Sequence, residues 1–404
     1  MTKKFAYDHP DDALRALASH LHQVEVEASV KIDDASIAGR VLAQDILADR
    51  DSPAADVSAM DGYAIRMNQI GTQEIAVTAE SVPGSPPPTM QEGGAVRIFT
   101  GAIVPKGAEA VVKREDTEER EGAILLRASA MGTQVGEHIR RAGENAIAGS
   151  TVLQRGRQID AASLATMTNF GCFETDVHHS VSVSILTTGD EVGLFTEEQP
   201  KPWQLRNSNR FSLSGVLANH PSLNVIHLQH CHDNRESLTK MLDDLVAESD
   251  AVILTGGVSM GDYDYVPDVV REVGGEVIFH GLPIRPGKPI LGAATSSGKL
   301  IVGLPGNPVS ASIGCKRMVL PLLAKISGKA NWLAPCPVVR LQNGGTKTIP
   351  LHWMQLVRLT KDGVCEPVIS KGSGDLVSLG QSDGFVELPP GAVGEGPWPF
   401  YSWS

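Results

Sequence analysis

Cysteine is scarce in this chain. Its five copies among 404 residues, Cys172, Cys231, Cys315, Cys336 and Cys365, are scattered without a Cys-x-x-Cys pair. That spacing indicates neither a disulfide framework nor a zinc knuckle, and the expectation is reduced, mostly buried thiols. Long apolar runs are also missing: none approaches the ~18 residues of a membrane span, and the opening MTKKFAYDHPDDALRALASHL has no apolar signal core. A soluble, cytoplasmic protein is expected. Positive charge is in deficit, with a formal net charge of -12. Such a chain repels nucleic-acid backbones and anionic lipid on average, so neither is an expected partner, and an anionic substrate must meet a local basic cluster. No strand-like run is followed by Gly-x-Gly-x-x-Gly and a ribose-binding acid about twenty residues later, which argues against a nucleotide-dependent oxidoreductase. There is no internal repeat and no functional low-complexity tract.

What is present is enough for several cores: 42% of the residues are hydrophobic, and the length suggests roughly two to four domains. Residues 7–24 carry apolar positions at helical spacing (Ala13, Leu14, Leu17, Ala18, Leu21) behind Asp8 and Asp11. From 46 to 146 short β-rich pieces such as EIAVTAE and AVRIFTG alternate with turn chemistry such as VPGSPPP, predicting a small β domain. The flanks, 25–45 and 147–174, are each too short to bury a core and are expected to associate as a linking unit. From 175 to 326 strand-like runs at 181–187, 224–230, 250–256, 275–281 and 299–305 alternate with helix candidates at 209–218, 235–248, 265–273 and 308–326. That alternation predicts an α/β domain with a parallel sheet covered on both faces, packed with the 7–24 helix. Residues 327–404 read as a last small β domain.

In open parallel sheets ligands sit beyond the carboxyl ends of the strands, and the sharp motifs of the α/β region fall there. The most informative is TGGVSMGDYDYV, 255–266. Gly256 and Gly257 permit positive φ and let backbone N–H groups approach a phosphate at the following helix start. Ser259 adds a hydroxyl, while Asp262 and Asp264 are hard oxygen ligands of the type Mg2+ takes. A capped strand-to-helix turn uses the same residues. The other strand ends bring Asp190 and Glu191 in TTGDEV, Asp233, and GLPGNPVSA at 303–311 with Pro305 and Asn307. Five carboxylates at one edge call for a cation, with Mg2+ the natural inference. The basic counterpart is RPGKP, 285–289, where a rigid Pro-Gly spacer holds Arg285 and Lys288 three apart as an oxyanion grip. His227, His230, Cys231 and His232 lie close together, but strand alternation divides them between faces, against a metal site.

Together with SAMDGYAI (58–65), TGAIVPKGAEAVV (100–112) and GSGDLVSLGQSDGFVELP (372–389), these motifs resemble in order the molybdopterin molybdenumtransferase family, the MoeA proteins and the E domains of gephyrin-type proteins. The resemblance implies an elongated multidomain chain with a Rossmann-like parallel α/β molybdopterin-binding domain and β-rich accessory domains, acting as a homodimer. It implies a transferase that takes adenylylated molybdopterin and molybdate, cleaves the phosphoanhydride with Mg2+ present and releases AMP and molybdenum cofactor. By motif position it implies Glu191, Asp233 and Asp264 as the metal-organising acids, and Ser259 with Gly256 and Gly257 as contacts to nucleotide or pterin phosphate. Arg285, Lys288 and Ser373 are implied as the molybdate pocket, with Asp61 and Thr100 reaching towards the other subunit's site. Implied partners are a molybdopterin adenylyltransferase and the recipient molybdoenzymes or their chaperones. Three departures mark the chain. Asn145 stands where the family's Gly-Glu-Asp has its aspartate, Leu356 where relatives carry the arginine of Phe-x-Arg, and Arg285 where lysine is usual. Arg358 lies two residues beyond Leu356, on the same face of a strand. A paralogue that binds molybdopterin or nucleotide, or scaffolds a partner, without the transfer step is the competing reading.

Overall fold

A computed structural model of the chain describes residues 5–34, 36–193, 199–259, 264–344 and 348–404. The chain divides into two compact units, one of Met1–Gln44, Arg155–Leu164 and Glu174–Ser404, the other of Asp45–Gln154 and Ala165–Phe173.

In the first unit helix α1 (Pro10–Ala18) starts on His9, whose side chain accepts the Asp11 N–H at 3.1 Å; it has Pro at its first turn and buries Ala13, Leu14 and Leu17. The strands and helices that follow are β1 (Val181–Thr188), α2 (Ser208–Ala218), β2 (Leu223–Cys231), α3 (Arg235–Glu248), β3 (Ala251–Thr255), α4 (Val266–Glu272), β4 (Gly275–His280), β5 (Leu291–Thr295), β6 (Leu300–Leu304), α5 (Pro308–Gly314) and α6 (Leu320–Ile326). A π-helical turn, Cys315–Val319, joins α5 to α6, so the long helix expected over 308–326 is continuous with one local under-winding.

The sheet runs β2-β1-β3-β6-β5-β4. Strands β1, β2, β3 and β6 are mutually parallel, as the strand-helix alternation predicts, while β5 pairs antiparallel with both neighbours. The reversal follows from length. Only residues 296–299 join β5 to β6, and a parallel pair needs a crossover of roughly a dozen residues or more. Both faces are covered because side chains alternate along each strand. Val183, Ile185 and Ile253 join a core with Leu14, Leu17, Leu213 and Leu322, whereas Leu186, Val252 and Leu254 pack against Leu238, Leu242 and Val269. Each such leucine contributes roughly 1.5–3 kcal/mol by leaving water.

A second six-stranded sheet of this unit collects His352–Leu359, Val364–Pro367, Val338–Leu341, Trp398–Ser402 and Gly384–Leu388, with Ile284–Arg285 at one edge. The other unit is built on a six-stranded sheet in the order 110–113, 62–65, 95–98, 75–81, 123–126 and 117–120. Its strand Gly62–Ile65 is buried along its whole length, Tyr63 and Ile65 on one side and Ala64 on the other.

Candidate functional site

Register builds the site. Thr187 pairs with Thr255, Thr188 with Cys231, and Thr255 with Leu304, so four parallel strands end at one level and their following turns meet. Beyond them opens a cleft of about 880 Å3 within the first unit. Glu191, Asp233, Asp264, Gly256, Gly257, Ser259, Pro305 and Asn307 all line it. The sequence motifs therefore converge. Asp262 lies outside the described residues.

Backbone geometry explains two of the glycines. Gly256 has φ +95°, and a Cβ there would stand 2.5 Å from the Thr188 hydroxyl oxygen. Gly189 has φ +127°, and its missing Cβ leaves room for the Glu191 carboxylate, which would otherwise lie 2.6 Å away. The acids are held by local bonds: the Asp190 N–H donates to Asp233 Oδ2 and the Asp233 N–H to Asp190 Oδ1, each at 3.2 Å. The Asp233 N–H and then His232, 2.9 Å away, hold the Asp190 carboxyl below its ordinary pKa. Among the described residues no three acidic, imidazole or thiol groups form a ready-made metal cage. His227 pairs with Glu248 at 2.6 Å, His230 with Thr187 at 3.0 Å and His232 with Asp190, so the histidine cluster is split as alternation predicts.

Other residues singled out from the sequence lie elsewhere. Arg285 pairs with Trp353 at the edge of the second sheet, and the Lys288 ammonium lies 5.4 Å from the Phe5 ring centre. Both are exposed, and neither lines the cleft, although the adjacent Pro289 does. The Ser373 carbonyl accepts the Val309 N–H at 3.1 Å, and its neighbour Gly374 lines the cleft. In the other unit Asp61 Oδ1 accepts both the N–H and the hydroxyl of Thr100 at 2.7 Å, first the backbone bond and then the hydroxyl lowering its pKa. There too the Arg140 guanidinium donates to Asn145 Oδ1 at 3.0 Å. Leu356 is buried opposite Phe385, and Arg358 donates at 3.3 Å to the Gln381 carbonyl, away from the cleft-lining residues.

The cleft also holds residues that motif reading passed over: Thr187, Thr188, Arg206, Asn207 and Asn209. Their signal in the sequence is RNSN at 206–209, a polar run across the start of a helix. A second hollow, about 620 Å3, lies over Arg317, Glu387 and His352. Its charges already pair with one another, Arg317 to Glu387 at 2.7 Å and His352 to Glu387 at 3.0 Å.

A glycine turn, three carboxylates and a helix start at the carboxyl edge of a doubly wound sheet define an α/β protein with a ligand-sized cleft at its strand ends. Comparison narrows the class. Residues 9–171 match the MoeA N-terminal region (domain I and II), 184–325 a probable molybdopterin binding domain, and 339–396 the MoeA C-terminal region (domain IV). A molybdopterin molybdenumtransferase of Nostoc is 32% identical over 87% of this chain and 83% of its own length. One from Haemophilus influenzae is 35% identical over 74% and 73%. The crystal structure of a molybdopterin biosynthesis MoeA protein from Pyrococcus horikoshii superposes with a TM-score of 0.78 at 25% identity, covering 97% of this chain and 99% of that one. The chain belongs to the molybdopterin molybdenumtransferase (MoeA) family. It is a transferase of molybdenum cofactor biosynthesis.

Proposed function

We propose that this chain inserts molybdate into adenylylated molybdopterin, with cleavage of the phosphoanhydride and release of AMP and molybdenum cofactor. The observation that carries the reading is the convergence of Glu191, Asp233 and Asp264 with the Gly256–Ser259 turn in one cleft. A phosphoanhydride is repelled by three carboxylates unless a cation intervenes. Mg2+ suits such a donor set, because it takes one or two carboxylates together with substrate phosphates and keeps its remaining waters. Glu191, Asp233 and Asp264 are the residues that would hold it, and when bound it neutralises charge on the anhydride and the departing phosphate.

The chain's own residues supply the rest. Backbone N–H groups of the Gly256–Gly257 turn and the Ser259 hydroxyl orient phosphate oxygens, while Pro305 and Asn307 shape the facing wall. Arg285, Lys288 and Ser373 are assigned to molybdate, an oxyanion that cations and a hydroxyl recognise. Asp61 and Thr100 are assigned to the site of a homodimer partner. No helix among the described residues is long and apolar enough to cross a membrane, and we place the protein in the cytoplasm. There it receives its substrate from a molybdopterin adenylyltransferase and serves molybdoenzymes or their chaperones. We retain four domains: 7–24 with 175–326, 25–45 with 147–174, 46–146, and 327–404.

One observation favours a second reading, a paralogue that binds molybdopterin or nucleotide without transfer: Arg285, Lys288 and Ser373 do not line the acidic cleft. Mixing the purified protein with adenylylated molybdopterin, MgCl2 and molybdate separates the two. Molybdate-dependent release of AMP, with formation of active cofactor, supports transfer. No release, where a relative succeeds under the same conditions, sinks it.

A further inference from the structure

The cleft is acidic on its described walls. Glu191, Asp233 and Asp264 line it, and among the described lining residues Arg206 is the one basic side chain. A polyanionic ligand entering against three carboxylates and a formal chain charge of -12 gains most from a cation fixed inside the cleft.

The position of Arg206 is built rather than incidental. Leu205–Arg206 forms a two-residue parallel pairing with Val192–Gly193, and the Leu205 N–H donates to the Glu191 carbonyl at 2.7 Å. The segments that carry the Glu191 carboxylate and the Arg206 guanidinium are thus tied together. Arg206 also directly precedes the cap of α2. The Asn207 side chain accepts the Arg210 N–H at 3.2 Å and donates to the Thr187 hydroxyl at 2.7 Å, so that cap is fully committed. Asn207, Ser208 and Asn209 all line the cleft, which sets the positive end of this 11-residue helix against it.

An independent sign of a ligand is Asn209, only 8% exposed. Its Nδ2 donates to the Gly306 carbonyl at 2.7 Å, an acceptor that fixes the orientation of the amide. That leaves Oδ1 buried with no partner. An unmatched acceptor costs free energy until a donor reaches it, and N–H donors are what a purine or pterin carries beside its phosphate.

We infer that Arg206 is a further substrate-binding residue, whose guanidinium grips the phosphate of the nucleotide half of the ligand beside the α2 N-terminus. The identity of that nucleotide, AMP, rests on the function proposed above. Arginine suits the place better than lysine, since its planar fork of donors can hold a phosphate oxygen and an acidic neighbour together.

Calorimetric titration of the full chain, with Mg2+ present, tests the assignment with AMP as the charged probe and adenosine as the uncharged one. Arg206→Gln should weaken AMP by about ten- to hundredfold, the range of a charge-assisted hydrogen bond, while adenosine changes by less than about twofold. Arg206→Lys should fall between. AMP affinity of Arg206→Gln within about twofold of the parent overturns the inference. So does an equal loss for both probes in variants that melt normally, or no AMP binding by the parent chain. The function reading fails separately: a parent protein that binds AMP through Arg206 yet releases none from adenylylated molybdopterin leaves the assignment standing. Undiminished molybdate-dependent release by an Arg206→Gln protein with unchanged AMP affinity does the reverse.

Discussion

Replacing Gly256 by alanine tests whether the turn at the head of the cleft depends on its backbone conformation. At φ +95° an L-residue loses roughly 1–2 kcal/mol relative to glycine through the clash of its Cβ with the backbone. The new Cβ also falls 2.5 Å from Thr188 Oγ1 and 3.1 Å from the Thr188 carbonyl. The hydroxyl must rotate away, which breaks its 3.2 Å bond to the Thr255 carbonyl, at about 0.5–1.5 kcal/mol. Together these predict a loss of about 1.5–3.5 kcal/mol, read as a lowered urea midpoint. The turn N–H groups also re-aim, and AMP release from adenylylated molybdopterin should fall by about a hundredfold, the scale of losing one preorganised donor. Thr188→Ala in the same chain removes the hydroxyl contact but not the strain at φ, so it should restore only about 1 kcal/mol. Parent-like stability and turnover in Gly256→Ala would refute the reasoning outright. Full recovery in the double variant would refute the part that rests on φ.

Three further outcomes follow from groups outside the cleft. Glu387→Gln keeps the shape of a 5% exposed side chain but leaves Arg317 with Asp11 as its remaining acid, and should cost roughly 3–5 kcal/mol in chemical denaturation; a loss below about 1 kcal/mol contradicts it. Burial alone would raise the Glu387 pKa, but the His352 bond and the Arg317 charge hold it at about 2, so this carboxylate's stabilisation is present above its unfolded value near 4.5 and lost as pH falls towards 2. Burial, and then the charges of Lys316 and Lys329, lower the His220 pKa to about 4 from 6.5, so the melting temperature should decline as pH falls through that window and His220→Gln should flatten the decline; parallel pH profiles for the two proteins would count against it. Asn145→Asp turns the Arg140 bond into an exposed ion pair, and a gain of about 0–1 kcal/mol in melting experiments is expected, whereas a clear loss would show that the amide is needed.

The sequence is legible where chemistry and chain order coincide. Helix α3 spans the residues its apolar spacing predicts, with Leu238, Leu242 and Leu245 buried and Asn234 as its cap. The turns after β1, β2, β3 and β6 meet because the buried runs of β1, β3 and β6, with β2 at the edge, form parallel strands whose ends align. Pairings across long separations are less legible. RPGKP carries two cations on a rigid spacer, yet Ile284–Arg285 joins His352–Trp353, and nothing in the local pattern announces a partner so far along the chain. Two-residue periodicity gives Arg358 a face but not an acceptor, and its guanidinium reaches the Gln381 carbonyl. The reversed β5, Leu291–Thr295, is short and lacks β-branched residues apart from its last, so its local pattern does not announce a strand. The acid-rich motifs drew the reading of the cleft towards metal ligands, while RNSN, with one arginine and a helix cap, looks like ordinary turn chemistry until the cleft closes around it.

The arrangement of charge gives the departures from the family pattern a physical sense. Glu191, Asp233 and Asp264 line the cleft beyond the strand ends, and the Asp190–Asp233 pair is tied through reciprocal backbone N–H bonds. Arg285 pairs with the second sheet and Lys288 lies against Phe5, outside the residues that line the acidic cleft. On the function proposed above, arginine for lysine at 285, or leucine for arginine at 356, changes the molybdate side of the site and not the Gly256–Gly257 turn. On that function, variants at Gly256, Asp264 or Arg206 should weaken phosphoanhydride binding, and variants at Arg285 or Lys288 molybdate binding, separably.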